Sequence, residues 1–299
     1  MPNQSSNSIR AVALVGHGAA GKTTLAESLL AAAGAITSRG TVEKGNTTCD
    51  FDPLEKEVGH SLQSAIVSMQ WGGVTLHLID TPGYPDFAGP AIAALAGVDT
   101  ALIVVNAQTG IELCTERMFQ SAGERGLCRM IVINKIDADN TDLPALVNQI
   151  RDRFGKQCML LDLPAHHGQE VVELLGHHEG DSDFASVADA HRALIDQIVE
   201  EDETLLARYL EDGADPNLTE LHAPFEAALR AGHLIPTLFV SARTGAGIPQ
   251  LLDALAQLAP NPAEGNPPPF YKGETGQAQE SFAAQPDETL HVLAHVFKV

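Results

Sequence analysis

An α/β fold, a mostly parallel sheet with helices on both faces, is what this sequence predicts. Three observations carry the prediction. Short apolar runs of strand length alternate with helical patterns through the first half of the chain. Several of those runs are apolar almost throughout, as strands covered on both faces must be. With 299 residues, 44% of them hydrophobic, the chain also has the material for a large core.

The elements follow in order. Ile9–Val15 is a buried strand and residues 24–33 a helix. Ala65–Trp71 and Val74–Asp80 alternate apolar and polar residues around Gly72-Gly73, which is the pattern of a hairpin. Residues 101–106, 130–134 and 237–241 are further strands, each followed by polar or glycine-rich residues and a helical pattern. Parallel sheets bind ligands in the loops at the carboxyl ends of their strands, so those polar residues are the candidates for function.

About a hundred residues separate Asp137 from Ser241, far more than one helix and its connections need. The excess predicts an inserted α+β subdomain at about 156–235 within a first domain spanning 1–260. Residues 179–220 hold 13 acidic side chains against 2 basic ones, Arg192 and Arg208. Apolar residues from Leu194 to Leu210 recur at helical spacing, so an acidic amphipathic helix is expected there. Residues 261–287 are rich in proline and glycine and are expected to be a linker. The run at 289–299 has the pattern of a strand; eleven residues bury no core, so the chain is expected to be part of something longer.

Composition narrows the function. Eighteen Lys and Arg stand against 39 Asp and Glu, a formal charge of −21, which excludes a broad basic nucleic-acid-binding surface. The four cysteines are scattered, with no C-x-x-C pair, which argues against a disulfide framework or a cysteine zinc site. The paired histidines His166-His167 and His177-His178 lie in polar loops and are expected to be solvated surface. No run of 18 apolar residues exists and the amino terminus has no apolar signal core, so a soluble, cytoplasmic protein with no membrane partner is expected.

The chemistry begins at Gly16-His17-Gly18-Ala19-Ala20-Gly21-Lys22-Thr23, a complete G-x-x-x-x-G-K-[ST] pattern between a strand and a helix. Glycines let the backbone wrap a phosphate with successive N–H groups pointing inward. Lys22 supplies a positive charge for the β- and γ-phosphates, the helix N-terminus adds its dipole, and Thr23 can reach Mg²⁺. Thr24 completes this phosphate-binding segment, and the sequence predicts a P-loop NTPase fold. Asn134-Lys135-Ile136-Asp137 follows a later strand. The Asp137 carboxylate can accept both N1–H and the 2-amino hydrogens of guanine, which adenine does not offer; Lys135 can lie across the base and Asn134 can brace the loop. Ser241-Ala242-Arg243 after the last strand places the Ala242 N–H to meet guanine O6. GTP and GDP with Mg²⁺ are therefore the expected ligands.

Asp80-Thr81-Pro82-Gly83 ends the strand of the hairpin. Asp80 is placed to orient Mg²⁺ through water, and the Gly83 amide to sense the γ-phosphate, whose loss would release the loop. A second switch is expected at 41–63, where Ser61 is the best hydroxyl for Mg²⁺.

Together GHGAAGKTT, DTPGYPDF, NKID and VSARTGAGI resemble the translational GTPases, and specifically elongation factor G and its relatives; DPLEKEVGHSLQSA stands where that family has its first switch. The resemblance implies a ribosome-stimulated GTPase acting in translocation or ribosome recycling, with Lys22, Gly83 and Tyr84 as candidate catalytic residues. It implies that the acidic insert meets the basic ribosomal stalk protein, and that residues 288–299 begin a β-barrel domain. Tyr84 stands where the family's main branch has a histidine that positions the attacking water, and Val58-Gly59-His60-Ser61 where it has Arg-Gly-Ile-Thr. These departures point to a divergent paralogue resembling elongation factor G; the alternatives are a switch working by GTP occupancy with little hydrolysis, for which Tyr84 would be the cause, or a ribosome-protection GTPase of the same superfamily.

Overall fold

The computed structural model describes residues 5–212, 215–265, 270–272, 280–282 and 296–298. β1 (Ile9–Val15) leads through the glycine-rich loop into α1 (Lys22–Ala32). A short helix α2 (Pro53–Val58), closed at its start by an Asp52–Glu55 capping box, precedes the hairpin β2 (Ala65–Trp71) and β3 (Val74–Asp80). Then come α3 (Ala88–Ala94), β4 (Thr100–Asn106), α4 (Leu113–Glu124), β5 (Cys128–Asn134) and α5 (Leu143–Phe154).

The next segment holds β6 (Cys158–Leu160), β7 (Asp162–Ala165), β8 (Glu170–Glu173), α6 (Val187–Val199), α7 (Glu203–Asp212) and α8 (Leu218–Ala231). β9 (Ile235–Val240) and α9 (Ile248–Gln257) follow. Seven strands form one sheet in the order β2-β3-β1-β4-β5-β9-β6, with β2 antiparallel to β3 and every other pairing parallel.

β4 and β9 are buried along their whole length, and Leu14, Leu102, Ile103, Met130, Ile131 and Phe239 form the centre of the core. α1 packs on α9, while α4 packs on β4 and β5. Register positions the loops that matter. Leu14 is opposite Asp80, Asn106 opposite Asn134, and Asn134 opposite Val240, so the segments after β1, β3, β5 and β9 leave the sheet at one edge.

The structure differs from the sequence expectation in the 156–235 stretch. β6 is an edge strand of the main sheet, paired to β9, and a separate two-stranded ladder, β7-β8, begins at Asp162. In place of one acidic helix there are two. Asp202 Oδ1 accepts from the N–H groups of Thr204 and Leu205, both at 2.9 Å, which caps a new helix three residues after α6 ends. The apolar residues Leu194, Ile195, Ile198 and Leu205 are still buried in both pieces. Residues 261–287 were expected to be a linker, yet β10 (Phe270–Lys272) and β11 (Glu280–Phe282) pair antiparallel within them. Of the strand expected at 289–299, only 296–298 lie among the described residues, and they carry no strand.

Asp162 gives a prediction on stability. Its Oδ1 accepts from the Phe239 N–H at 2.8 Å, while Oδ2 is buried without a partner among the described residues, and burial pushes its carboxyl well above the usual range. A raised folded-state value means that stability falls as pH rises through the range between the unfolded and folded values. Asp162→Asn keeps the acceptor for Phe239 and removes the charge. It is expected to stabilise the protein at neutral pH by about 1–3 kcal/mol and to flatten the pH dependence, as read from denaturant unfolding at pH 5 and pH 8.

Candidate nucleotide-binding site

The glycine-rich loop folds as it does because side chains cannot fit there. Gly16 has φ +141°, and a Cβ on it would lie 2.4 Å from the Val104 carbonyl oxygen of β4. Gly21 has φ +88°, and its Cβ would lie 2.5 Å from Asn134 Nδ2. Gly16→Ala is expected to cost about 1–3 kcal/mol of stability, because the loop must move off β4 to admit the methyl group; thermal unfolding without nucleotide checks this.

α1 starts at Lys22 behind a left-handed Gly21 with no side-chain cap, so its first N–H groups stay free for an anion. Lys22 is buried, its Nζ donating to the carbonyls of Gly16 at 3.1 Å and His17 at 2.7 Å. Burial lowers its pKa to about 8, opposed by the Asp80 charge, so the ammonium persists at pH 7.

Thr23 Oγ1 donates to Asp80 Oδ2 at 2.7 Å and lies 3.2 Å from Ser61 Oγ. Ser61 Oγ in turn donates to Asp50 Oδ1 at 2.9 Å, and Thr47 Oγ1 to Asp50 Oδ2 at 2.8 Å. The loop expected to carry a switch thus brings a second buried carboxylate, Asp50, to the Ser61 hydroxyl and through it to Thr23. Asp80 is fully buried, which raises its pKa to about 6, and its Oδ1 has no hydrogen-bond partner among the described residues. A hard cation with its water shell would satisfy that orphaned oxygen, and two carboxylates with two hydroxyls are the donor set Mg²⁺ takes. The residues present therefore fit the metal.

Thr23, Asp50 and Ser61 line a cavity of about 1130 Å³ that extends from Gly18 and Lys22 past Gly83 and Tyr84 to Asn134, Lys135 and Asp137. Glu27 ties the switch loop to α1, its carboxylate accepting from the Gly40 N–H at 2.8 Å and from the Thr48 N–H. A Cβ on Gly83 would lie 2.5 Å from the backbone carbonyl of His17, so only glycine lets this turn approach the phosphate loop so closely. Tyr84, 41% exposed, lays its ring over Gly18 and against the imidazole of His60, with ring centroids 4.6 Å apart.

At the other end Asn134 holds three loops together. Its Nδ2 donates to the Ala20 carbonyl at 2.9 Å, and its Oδ1 accepts from the N–H groups of Lys135 at 2.8 Å and Ala242 at 3.0 Å. Lys135 Nζ donates to the Ala19 carbonyl at 2.8 Å, which draws its stem along the cavity wall. Ser241 and Arg243 both donate to the Asp137 carboxylate. Two placements depart from expectation. The Ala242 N–H is taken up by Asn134, and its carbonyl by Ser28 and by Arg39 Nη1 at 2.8 Å. The His17 ring turns away from the cavity to Glu112, Thr115 and Thr109, leaving only its backbone at the phosphate loop.

Sequence reasoning missed Asp50, Arg39 and Glu27. None belongs to a linear motif: Asp50 lies inside the expected switch and Arg39 just before it, while Glu27 lies in α1 with no signal of its own. Elsewhere, His177 Nδ1 meets Glu173 at 3.2 Å and His166 Nε2 meets Glu170 at 3.9 Å, and both histidines are exposed.

Comparison with known proteins agrees with this geometry. Residues 7–261 match the family described as the Elongation factor Tu GTP binding domain. An elongation factor G-like protein of Mycobacterium tuberculosis is 34% identical over 305 aligned residues, covering 97% of this chain and 42% of that protein. The tetracycline resistance protein TetW of Butyrivibrio fibrisolvens is 31% identical, covering 83% of this chain and 36% of that one. A crystal structure of a Thermus thermophilus protein superposes with a TM-score of 0.79 at 34% identity, covering 89% of this chain and 43% of the other. The chain spans less than half the length of each of these three proteins. By that match over most of its length, and by a mostly parallel sheet of P-loop GTPase type, the chain belongs to the translational GTPases built on the elongation factor Tu GTP-binding domain.

Proposed function

We propose that this chain is the GTP-binding and GTP-hydrolysing part of an elongation factor G-like translation factor that works on the ribosome in translocation or ribosome disassembly. One observation carries the reading: a single cavity joins the buried Lys22 and the Thr23–Ser61 hydroxyls at one end to Asp137 at the other. Triphosphate and base are addressed together, which suits a guanine nucleotide with its phosphates on the α1 N-terminus.

In this reading water attacks the γ-phosphorus, the bond from that phosphorus to the β–γ bridging oxygen breaks, and the GDP leaving oxygen takes the electron pair. Lys22 offsets the charge on the phosphoryl oxygens, and the Gly83 N–H holds the γ-phosphate. Thr23 and Ser61 would hold Mg²⁺ with Asp80 and Asp50 behind its water shell; bound there, it neutralises charge on the β- and γ-phosphates. Tyr84 stands beside the attacking water and orients it by hydrogen bonding through its phenol.

The segment at about 156–235 is read as an insert whose acidic helices α6 and α7 suit the basic ribosomal stalk protein. No described helix is long and apolar enough to cross a membrane, and cytoplasmic residence goes with a ribosomal partner. A second reading, a GTP-occupancy switch with little hydrolysis, is favoured by one contact: Tyr84 packs on Gly18 and His60. Kinship with TetW keeps a ribosome-protection role in view.

The test is GTP turnover by the full-length protein with and without ribosomes, for wild type and Tyr84→His. Ribosome-stimulated turnover in the wild type supports the proposal. Stimulation only in Tyr84→His supports the occupancy switch, and none in either removes the ribosome as the partner.

A further inference from the structure

The Asp137 carboxylate, which the guanine reading above assigns to the base, is already engaged on both oxygens. Ser241 Oγ donates to Oδ1 at 2.6 Å, while Arg243 Nε at 2.8 Å and Nη2 at 2.5 Å both donate to Oδ2. A carboxylate has about four lone-pair sites, so these three donors leave at most one for the two that guanine needs, its N1–H and its 2-amino group. For the base to bind, at least one donor must leave.

The structure says which. The Asp137 side chain is 9% exposed, whereas that of Arg243 is 77% exposed, so only Arg243 can withdraw into water at little cost. Ser241 is fixed in its turn: its Oγ accepts from the Thr244 N–H at 3.1 Å, and its carbonyl from the Gly245 N–H at 2.8 Å. Loop shape does not depend on Arg243 either. Asn134 Oδ1 holds the Ala242 N–H, and Ser28 and Arg39 hold the Ala242 carbonyl from behind. The guanidinium is thus a detachable group on a rigid loop, and it presents the paired N–H donors that the guanine edge presents.

We propose that Arg243 is a latch on the base pocket: it stands in for guanine on Asp137 in the nucleotide-free protein and must swing out before the base enters. The latch rests on the guanine reading of Asp137. It keeps the partly buried carboxylate paired while the site is empty, and it weakens nucleotide binding by the free energy of the ion pair. Because one partner is largely solvated, the effect is modest and sensitive to salt.

The test uses the full-length, nucleotide-free protein, titrated with GDP and with xanthosine diphosphate, for wild type, Arg243→Ala, Arg243→Lys and Asp137→Asn. Arg243→Ala is expected to bind GDP about two- to fivefold more tightly at low salt, with the gain shrinking in 1 M salt. Arg243→Lys, which keeps the charge but loses the paired donors, is expected to fall between. The unfolding midpoint of Arg243→Ala should drop without nucleotide and equal that of the wild type at saturating GDP, since the pair exists only in the empty state. Weaker or unchanged GDP binding by Arg243→Ala would overturn the latch, assigning Arg243 to the bound base or to no role. Asp137→Asn separates the two claims: if it retains the preference for GDP over xanthosine diphosphate, the guanine reading itself fails.

Discussion

Lys22→Ala is expected to lose GTP affinity by about two to four orders of magnitude, the largest effect of any single substitution in the cavity. The lysine is buried beneath the phosphate loop and reaches it through the Gly16 and His17 carbonyls. On nucleotide binding its ammonium would turn to the β- and γ-phosphates, making two charge-assisted hydrogen bonds at about 1.5–3 kcal/mol each. Alanine removes both and leaves the two carbonyls without their donor, so the empty protein is also expected to lose about 1–3 kcal/mol of stability. Filter binding with GTP and thermal unfolding without it read the two effects separately. Loss of stability with unchanged affinity would mean that Lys22 only braces the loop.

Asp137→Asn carries the second large effect, and it is a change of preference rather than a loss. The carboxylate is an acceptor on both oxygens, which suits the two donors of guanine. An amide presents one acceptor and one donor, which suits the 2-oxo group of xanthine. Sites that hydrogen-bond a buried edge reject the wrong partner by about 10⁴–10⁵-fold, so even a partial inversion is large. Competition between GTP and xanthosine triphosphate for the variant is expected to favour the latter by at least about tenfold. The substitution also frees Arg243 from its charged partner, which leaves the loop held by Asn134 and Arg39.

How much of this was legible in the sequence depends on the range of the interaction that carries it. The hairpin at Ala65–Trp71 and Val74–Asp80 has its observed bounds in the amino-acid pattern, because alternation and the Gly72-Gly73 turn are local. The phosphate loop was legible for the same reason: its glycines answer to backbone angles and to one close neighbour strand. The helix break at Asp202 was not, because a capping aspartate inside an acidic, amphipathic run looks like any other charged residue until its oxygen meets the Thr204 and Leu205 amides. β6 is three residues long, and pairing with β9 rather than periodicity makes it a strand.

In the site, the residues of the linear motifs were found and those that act across the fold were not. Asp50 reaches Thr23 only through Ser61, and Arg39 reaches the base loop 203 residues away. Ala242 shows the limit from the other side. Its position after β9 was readable, but the engagement of its N–H with Asn134 follows from the parallel register of β5 and β9, which no motif encodes.

The most direct measurement on the central claim is nucleotide selectivity: a fluorescent GDP bound to the full-length protein, displaced in parallel by GTP, GDP, ATP and ADP in the presence of Mg²⁺. The cavity described here, with a phosphate cradle at Lys22 and an acceptor pair at Asp137, predicts that both guanine nucleotides displace the probe at concentrations at least about a hundredfold below the adenine nucleotides. Equal displacement by ATP and GTP would contradict it, leaving a phosphate site with no reader for the base.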